Sequence, residues 1–206
     1  GYGGNEELMR KYYRFYSDNI VHRGLKLDGD GIQMAIAIGA ATEGLGTFIL
    51  LGPYFPTSWH ITALCRRQDA IWVNKRGERF VNEGLVNDFP MCGNAMDRQP
   101  DYLSYTIFDE KIKQTIIQEG FTFLEELVGG GQSWLSSIEK NLQAQVEKGL
   151  VKISDSWDEI AQWMGASSEV LKATIKAYNS SCDCGYDELM GKEREYLSPL
   201  RTPPYY

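Results

Sequence analysis

Residues Trp72–Gly84 read WVNKRGERFVNEG, and this stretch carries the clearest fold signal in the chain. Two β-like segments, Ala70–Asn74 and Glu78–Asn82, flank the turn-like tripeptide Lys75-Arg76-Gly77. A glycine-containing turn between two such segments predicts a β-hairpin. On its residues alone, this is an edge hairpin with charged side chains at its tip.

The composition is that of a globular protein with an ample core. The chain has 206 residues, 43% of them hydrophobic and 24% charged, and a net charge of −7. These values argue against disorder, and the lack of a concentrated basic face argues against a nucleic-acid partner. No apolar run approaches the roughly 18 residues of a membrane span. We expect any targeting segment to lie outside this chain, so cytoplasmic and exported locations both stay open.

Cysteine and histidine usage limits the metal and hydrolase chemistries. The four cysteines, Cys65, Cys92, Cys182 and Cys184, lack the paired spacing of a zinc site, and reduced thiols are the simplest interpretation. The two histidines are His22 and His60, so a histidine-based site has little to draw on. The sequence predicts no metal site.

Helical and strand-like segments alternate irregularly along the chain. Asp109 and Glu110 are typical of a helix start, and Ser167 is a predicted N-cap. With few βαβ units, the pattern predicts an α+β fold. The predicted strands are Thr47–Leu51 and Tyr102–Phe108, Gly129–Gly131 is a predicted break, and the predicted helices are Glu6–Tyr16, Ile32–Thr42, Glu110–Gln118, Trp134–Lys148, Ser156–Met164 and Ser168–Ser180.

The segment Asp28–Gly31 (DGDG) precedes a helix rich in small residues. Asp30 with Gln33 fits an N-cap and its return partner, and the small residues suggest close packing against a flat surface. A glycine-flanked helix start is also where a backbone approaches a phosphorylated cofactor. The acidic residues lack the later ligands of a calcium loop. No GxGxxG motif follows a strand in this chain.

Two adjacent arginines lie shortly before the hairpin. Arg66 and Arg67 present planar guanidinium groups that can bind a carboxylate bidentately. On residue type alone, surface charge is the simpler interpretation of both arginines. Their residue type alone does not separate a binding role from a solvated one.

Six motifs in a fixed order resemble a known family. They are GDGIQMAIAIGAAT, an apolar strand, WVNKRGERFVNE, TIFDE, EVLKATIKAYN and TPPYY. In this order they resemble the fumarate reductase and succinate dehydrogenase flavoproteins. The likeness is greatest to the soluble flavocytochrome c type of fumarate reductase and to its urocanate reductase and ketosteroid dehydrogenase relatives.

The resemblance implies a fragment of a two-domain, FAD-dependent enzyme that acts on CH–CH groups. Residues 1–51 would be a partial FAD-binding-domain segment, residues 52–198 the substrate-capping domain, and residues 199–206 the return to the FAD-binding domain. Gly29, Asp30 and Gly31 fall on the family's FAD-contacting region. We expect the isolated chain to bind FAD weakly or not at all, and to be inactive, because most phosphate-binding backbone lies elsewhere.

The catalytic positions match the family less well. Thr62 falls on a substrate-contacting threonine and Arg66 on a proton-relay arginine, whereas Ala63 replaces the relay glutamate. Asn87 stands where the family has its proton-donating arginine, and asparagine is a poor proton donor. Arg98 could substitute only if the loop were rebuilt.

The resemblance therefore implies hydride transfer between FAD and a small organic substrate other than fumarate, with the electron donor unknown. Two alternatives remain. A capping domain that has lost its chemistry could serve as a binding or assembly module. An unrelated α+β domain could share the motifs by accident.

Overall fold

The computed structural model describes residues 1–20, 27–47, 52–120 and 132–206. Contacts divide the chain into two units, Gly1–Leu50 (unit 1) and Leu51–Tyr206 (unit 2). The described part of unit 1 contains two short helices, and that of unit 2 combines helices with a small sheet, which agrees with the α+β expectation. Residues 199–206, expected to return to the FAD-binding domain, lie in unit 2. That unit 2 is a capping domain stays a prediction.

Unit 1 begins with a short capped helix. Helix α1 spans Glu6–Tyr12, and the side chain of Asn5 accepts the amide of Leu8 at its start. The predicted extension to Tyr16 is wrong. Tyr13 leaves the helix with extended backbone, and it is buried in a small cluster. Burial of that aromatic side chain outweighs continuation of the helix.

Helix α2 spans Asp30–Ala37, and its cap differs from the prediction. The N-cap is Gly29, whose φ of +83° few other residues adopt, so Asp30 is the first helical residue. The side-chain amide of Gln33 donates to the carbonyl of Asp28 at 3.3 Å rather than closing a capping box. The helix ends before Gly39, whose φ is +89°. No residue of α2 is buried within the described part of unit 1, so the expected close packing is not seen there.

Unit 2 is built around a two-stranded antiparallel sheet. Strand β1 (Ile71–Val73) pairs with β2 (Tyr105–Ile107), with Trp72 opposite Thr106. All three β1 residues are buried, because alternate side chains enter two different clusters. The predicted hairpin is present only in part. The return segment meets β1 at one bridge, between Val73 and Arg79, and the regular partner of β1 is β2.

Helices surround this sheet in unit 2. One face of α8 (Ser168–Cys184) enters the core through Leu171, Ile175 and Tyr178, and the hydroxyl of Ser167 caps that helix as predicted. The helices, in chain order, are α3 (Trp59–Cys65), α4 (Phe89–Asp97), α5 (Glu110–Glu119), α6 (Ile138–Glu147), α7 (Trp157–Met164) and α8 (Ser168–Cys184). Short 3₁₀ turns are Glu83–Asn87, Pro100–Tyr102, Gln132–Ser137 and Arg194–Tyr196. The predicted helix from Trp134 therefore starts as a 3₁₀ turn. Residues 48–51 and 129–131, predicted as most of a strand and a break, lie outside the described residues.

Hydrogen bonds join residues 201–206 to the start of α5. Backbone hydrogen bonds join Phe108 and Tyr206 in both directions, and their rings stack with centroids 5.0 Å apart. Asp109 is the predicted helix start and is fully buried. One of its carboxylate oxygens accepts the amide of Ile112 at 3.0 Å, and the other accepts the amides of Arg201 and Thr202 at 2.9 Å each.

We expect Asp109→Ala to lower the free energy of unfolding by about 2–4 kcal/mol, because it removes a buried helix cap and leaves two further, partly buried amides without their acceptor. The matched control is Asp88→Ala. Asp88 caps α4 with a single bond to the amide of Met91 at the surface, so its loss costs about 1 kcal/mol. Urea unfolding followed by tryptophan fluorescence gives both values, and equal losses for the two variants would contradict the prediction.

Candidate functional site

Four charged residues form a buried ionic cluster, hereafter the ionic cluster: Arg79, Glu83, Asp187 and Lys192. Each is at most 7% exposed. Arg79 and Glu83 come from the motif that opened the sequence analysis, whereas Asp187 and Lys192 follow α8. The two cations balance the two anions. The charged side chains predicted at the hairpin tip are a different set, and Arg76 and Glu78 there are exposed.

Glu83 is the centre of the ionic cluster. Its Oε1 accepts Nε of Arg79 at 3.0 Å and the backbone amide of Trp72 at 2.9 Å. Its Oε2 accepts Nη2 of Arg79 at 2.7 Å and lies 3.4 Å from Nζ of Lys192. The same Nη2 of Arg79 donates to Asp187 at 2.9 Å. Fork-like pairing of this kind fixes direction as well as distance.

Burial and ion pairing act in opposite directions on the pKa values of the ionic cluster. Burial disfavours ionisation of Asp187, but the hydrogen bond and the charge of Arg79, together with backbone amide hydrogen bonds, outweigh that cost and lower the pKa of the carboxyl. Burial likewise opposes the charge on Arg79, yet its bonds to Glu83 and Asp187 raise the pKa of the guanidinium. Burial lowers the pKa of Lys192 despite the nearby Glu83. Lys192 also donates to the carbonyl of Ala70 at 2.7 Å.

Glu83 opens the 3₁₀ turn Glu83–Asn87, hereafter the 83–87 turn, which ends at the candidate residue Asn87. Asn87 is exposed, whereas Val86, just before it, is buried. The side chain of Asn82 caps the turn by accepting the amide of Gly84 at 2.8 Å. An uncharged amide therefore stands at the surface where the family resemblance predicts a guanidinium.

Arg66 lies directly beneath this turn. It is 5% exposed, and its guanidinium donates to the carbonyl of Gly52 at 2.9 Å and to the carbonyl of Val86. Its Cζ lies 4.3 Å from the ring centroid of Phe89. Burial lowers its pKa. The surface-charge interpretation of Arg66 is wrong, whereas Arg67 is partly exposed and pairs with Asp69.

Thr62 and Ala63 lie one turn before Arg66 on α3, and both are fully buried. The hydroxyl of Thr62 donates to the carbonyl of Ser58 at 3.0 Å and accepts the amide of Phe55 at 3.1 Å. Both hydrogen bonds stay within the chain. Thr62 therefore shapes the loop before α3, and its part in substrate contact stays a prediction.

Arg98 is exposed and caps the far end of α4. Asn87 lies just before the start of that helix, whose nine residues extend about 13 Å. The two residues are thus at opposite ends of α4. This separation gives Arg98 no support as a substitute for the missing arginine.

In unit 1, the start of α2 presents open backbone. The amides of Asp30, Gly31 and Ile32 precede the first intrahelical donor, Gln33, and so have no acceptor within the helix. A Cβ on Gly29 would lie 2.7 Å from Leu8 Cδ1, whereas one on Gly31 would meet no heavy atom within 4 Å. Asp30 is exposed. Free amides, an exposed carboxylate and open space fit the phosphate or ribose portion of a dinucleotide.

In the described ranges no three histidine, cysteine or acidic residues gather closely enough to hold a metal ion. No described helix is both long and apolar enough to cross a bilayer.

Sequence reasoning missed the ionic cluster. Its signal was present in the spacing of Arg79 and Glu83, which lie four residues apart on either side of the apolar pair Phe80 and Val81. Their partners lie more than a hundred residues later in the chain, and Arg79 and Asp187 are 108 positions apart. Nothing local in the sequence joins the two segments.

Comparisons with known proteins identify the family. A family model described as "FAD binding domain" matches residues 1–206. A vinyl phenol reductase from Lactiplantibacillus plantarum is 28% identical over the whole chain, which spans 44% of that protein. An NADH:fumarate oxidoreductase from Klebsiella pneumoniae is 26% identical over the whole chain, which spans 20% of it.

A solved structure shares the fold. The 3-ketosteroid delta1-dehydrogenase from Sterolibacterium denitrificans superposes with a TM-score of 0.71 at 20% identity, over the whole of this chain and 39% of that one. The chain thus spans less than half the length of these proteins. The full-length family match and these relatives agree with the motif order, and the chain belongs to the FAD binding domain family, among its fumarate reductase-like flavoproteins.

Proposed function

We propose that this chain is the substrate-covering part of an FAD-dependent oxidoreductase that reduces the C=C bond of a small conjugated substrate other than fumarate. Residues 1–51 and 199–206 would belong to the FAD-binding domain, and residues 52–198 would form the capping domain. The observation that carries the substrate proposal is Asn87. A neutral, exposed amide ends the 83–87 turn, where a dicarboxylate would need a cation.

The residues at the start of α2 are the ones that would hold the cofactor. The open amides of Asp30 and Gly31 suit an anionic or hydroxyl-bearing group, and the carboxylate of Asp30 can accept from a ribose hydroxyl. Gly29 keeps the backbone free of a side chain that would collide with Leu8 and Tyr2. Bound FAD would supply the hydride. The binding energy would come largely from residues outside this chain.

In unit 2, the chain's own residues build the surface that covers the substrate. The hydroxyl of Thr62 both donates and accepts a hydrogen bond within the chain, and Arg66 donates to two backbone carbonyls. These two side chains therefore fix the shape of the covering surface. Asn87 is the residue that would contact the substrate, with a neutral hydrogen-bonding group. A single polar group such as a phenol or one carboxylate suits such a site better than two carboxylates. The similarity to a vinyl phenol reductase supports an aromatic alkene.

A second candidate is a capping domain without chemistry that serves as a binding module. Ala63 and Asn87 favour it, because neither side chain carries a transferable proton at neutral pH. Under this alternative the full-length protein would hold flavin without reducing alkenes.

The deciding experiment uses the full-length protein that contains this chain. Its visible spectrum reports bound flavin, and dithionite-reduced protein is then mixed with vinyl phenol, acrylate, urocanate and fumarate. We expect rapid flavin reoxidation by vinyl phenol and at least tenfold slower reoxidation by fumarate. Flavin that no alkene reoxidises would favour the binding module, and a protein without flavin would contradict both candidates.

We expect Asn87→Arg to shift preference toward fumarate. A charge-assisted pair with a carboxylate contributes about 1.5–3 kcal/mol, so the ratio of kcat/KM for fumarate over vinyl phenol should rise roughly 10- to 100-fold. Asn87→Gln keeps the amide and Asn94→Arg adds the same charge on the exposed face of α4, so neither should change the ratio. If Asn94→Arg changes the ratio equally, the effect comes from added positive charge on the protein and not from a contact at residue 87.

A further inference from the structure

The loop after α8 contacts three successive residues of the WVNKRGERFVNEG motif. The side-chain amide of Asn82 donates to the carbonyl of Gly191 at 2.9 Å, and Oε2 of Glu83 lies 3.4 Å from Nζ of Lys192. At Gly84, an added Cβ would lie 2.2 Å from Oε2 of Glu193. Residues 187–193, hereafter the 187–193 loop, thus contact the start of the 83–87 turn.

We propose that the 187–193 loop, acting through the ionic cluster, is a positioning element that fixes Asn87 in the substrate site. This inference rests on the proposed function. Asp187 and Lys192 do not touch substrate in this proposal. They hold Glu83, the first residue of the 83–87 turn, and the turn carries that constraint to its last residue.

Charge and geometry explain why an ionic cluster suits this task. Asp187 and Glu83 both bond Nη2 of Arg79, so the guanidinium orients the two carboxylates at once. A buried ion pair adds little net stability relative to an apolar pair of the same volume, but it permits few alternative arrangements. Fixed direction matters because a misplacement of about 1 Å in a substrate-contacting group can lower the rate 100-fold.

The ionic cluster is also anchored on the sheet and on α8. Glu83 accepts the amide of Trp72 in β1, and Lys192 donates to the carbonyl of Ala70 just before that strand. Arg79 Cζ and Lys192 Nζ lie 4.8 and 5.1 Å from the ring centroid of Tyr178 in α8. The 83–87 turn is therefore held by contacts with the most buried part of unit 2 rather than by a surface loop.

The test is a double-mutant cycle in the full-length protein. Asp187→Asn keeps shape and leaves Arg79 paired with Glu83, and Asn87→Ala removes the substrate contact. Each single variant should lower kcat/KM for the best alkene by roughly tenfold or more. If Asp187 acts through Asn87, the double variant should fall no further than about threefold below the worse single variant. Multiplied losses, or an unchanged kcat/KM in Asp187→Asn, would overturn the proposal.

Hydrogen exchange gives a second readout that needs no substrate. Asp187→Asn should speed amide exchange in residues 84–87 by at least tenfold while α6, which contributes nothing to the ionic cluster, exchanges as before. Unchanged exchange in residues 84–87 would overturn the positioning role even if no alkene is reduced. Failure of the proposed function appears separately, as an inactive unsubstituted protein. If Asp187→Asn does not fold, Lys192→Met replaces it in both experiments.

Discussion

Replacement of Glu83 by alanine is expected to lower the free energy of unfolding of the chain by about 3–5 kcal/mol. The variant leaves two buried cations, Arg79 and Lys192, with Asp187 as the remaining carboxylate of the ionic cluster. It also removes both bonds between Glu83 and Arg79. It also leaves the buried backbone amide of Trp72 without its hydrogen-bond acceptor. Urea unfolding monitored by tryptophan fluorescence measures the loss, and few single substitutions in a protein exceed this size.

Two variants separate charge burial from general disruption of the motif. Glu78→Ala removes a carboxylate from the same stretch, but its pair with Arg76 is exposed, so its loss should cost less than about 1 kcal/mol. Lys192→Met added to Glu83→Ala removes the uncompensated cation and should restore part of the stability. If the double variant is less stable than Glu83→Ala alone, an unpaired charge is not the cause of the loss.

The sequence predicted local features of the fold well because their causes are local. Ser167 and Asp109 begin α8 and α5 as expected, since a helix cap depends on a side chain and an amide a few residues away. The prediction failed where a competing local choice was available. Gly29 rather than Asp30 caps α2, because glycine adopts the left-handed backbone that this start requires.

The sheet and the site show where local reasoning ends. Strand β1 was expected to pair with its own hairpin, yet it pairs with β2, more than thirty residues later in the chain. Arg79 and Glu83 are buried together with Asp187 and Lys192, which lie more than a hundred residues later in the chain. Long-range partners of this kind leave no periodic signal. The order of the motifs identified the family, whereas the partners of each charged residue became known only from the three-dimensional structure.

Arg66→Met is expected to lower kcat/KM for the best alkene about 100-fold in the full-length protein. Its guanidinium holds the carbonyl of Gly52 and the carbonyl of Val86, the residue before Asn87. Methionine leaves both buried carbonyls without these donors and releases the end of the 83–87 turn. Steady-state kinetics measure the loss, and thermal unfolding shows whether the variant is folded.

The activities of matched variants distinguish two roles for Arg66. One is a clamp that holds the carbonyls of Gly52 and Val86, and the other is the proton relay that the family resemblance implies. With Ala63 in place of the relay glutamate and two carbonyls as acceptors, a clamp is the role that the contacts favour. Lysine keeps the charge and its donors but not the planar fork, so Arg66→Lys should recover part of the activity. Arg67→Met, which loses only a neighbouring guanidinium paired with Asp69, should stay within threefold of the unsubstituted enzyme. If Arg66→Lys is as inactive as Arg66→Met while residues 84–87 exchange their amide hydrogens at the normal rate, Arg66 acts directly in proton transfer and the clamp is wrong.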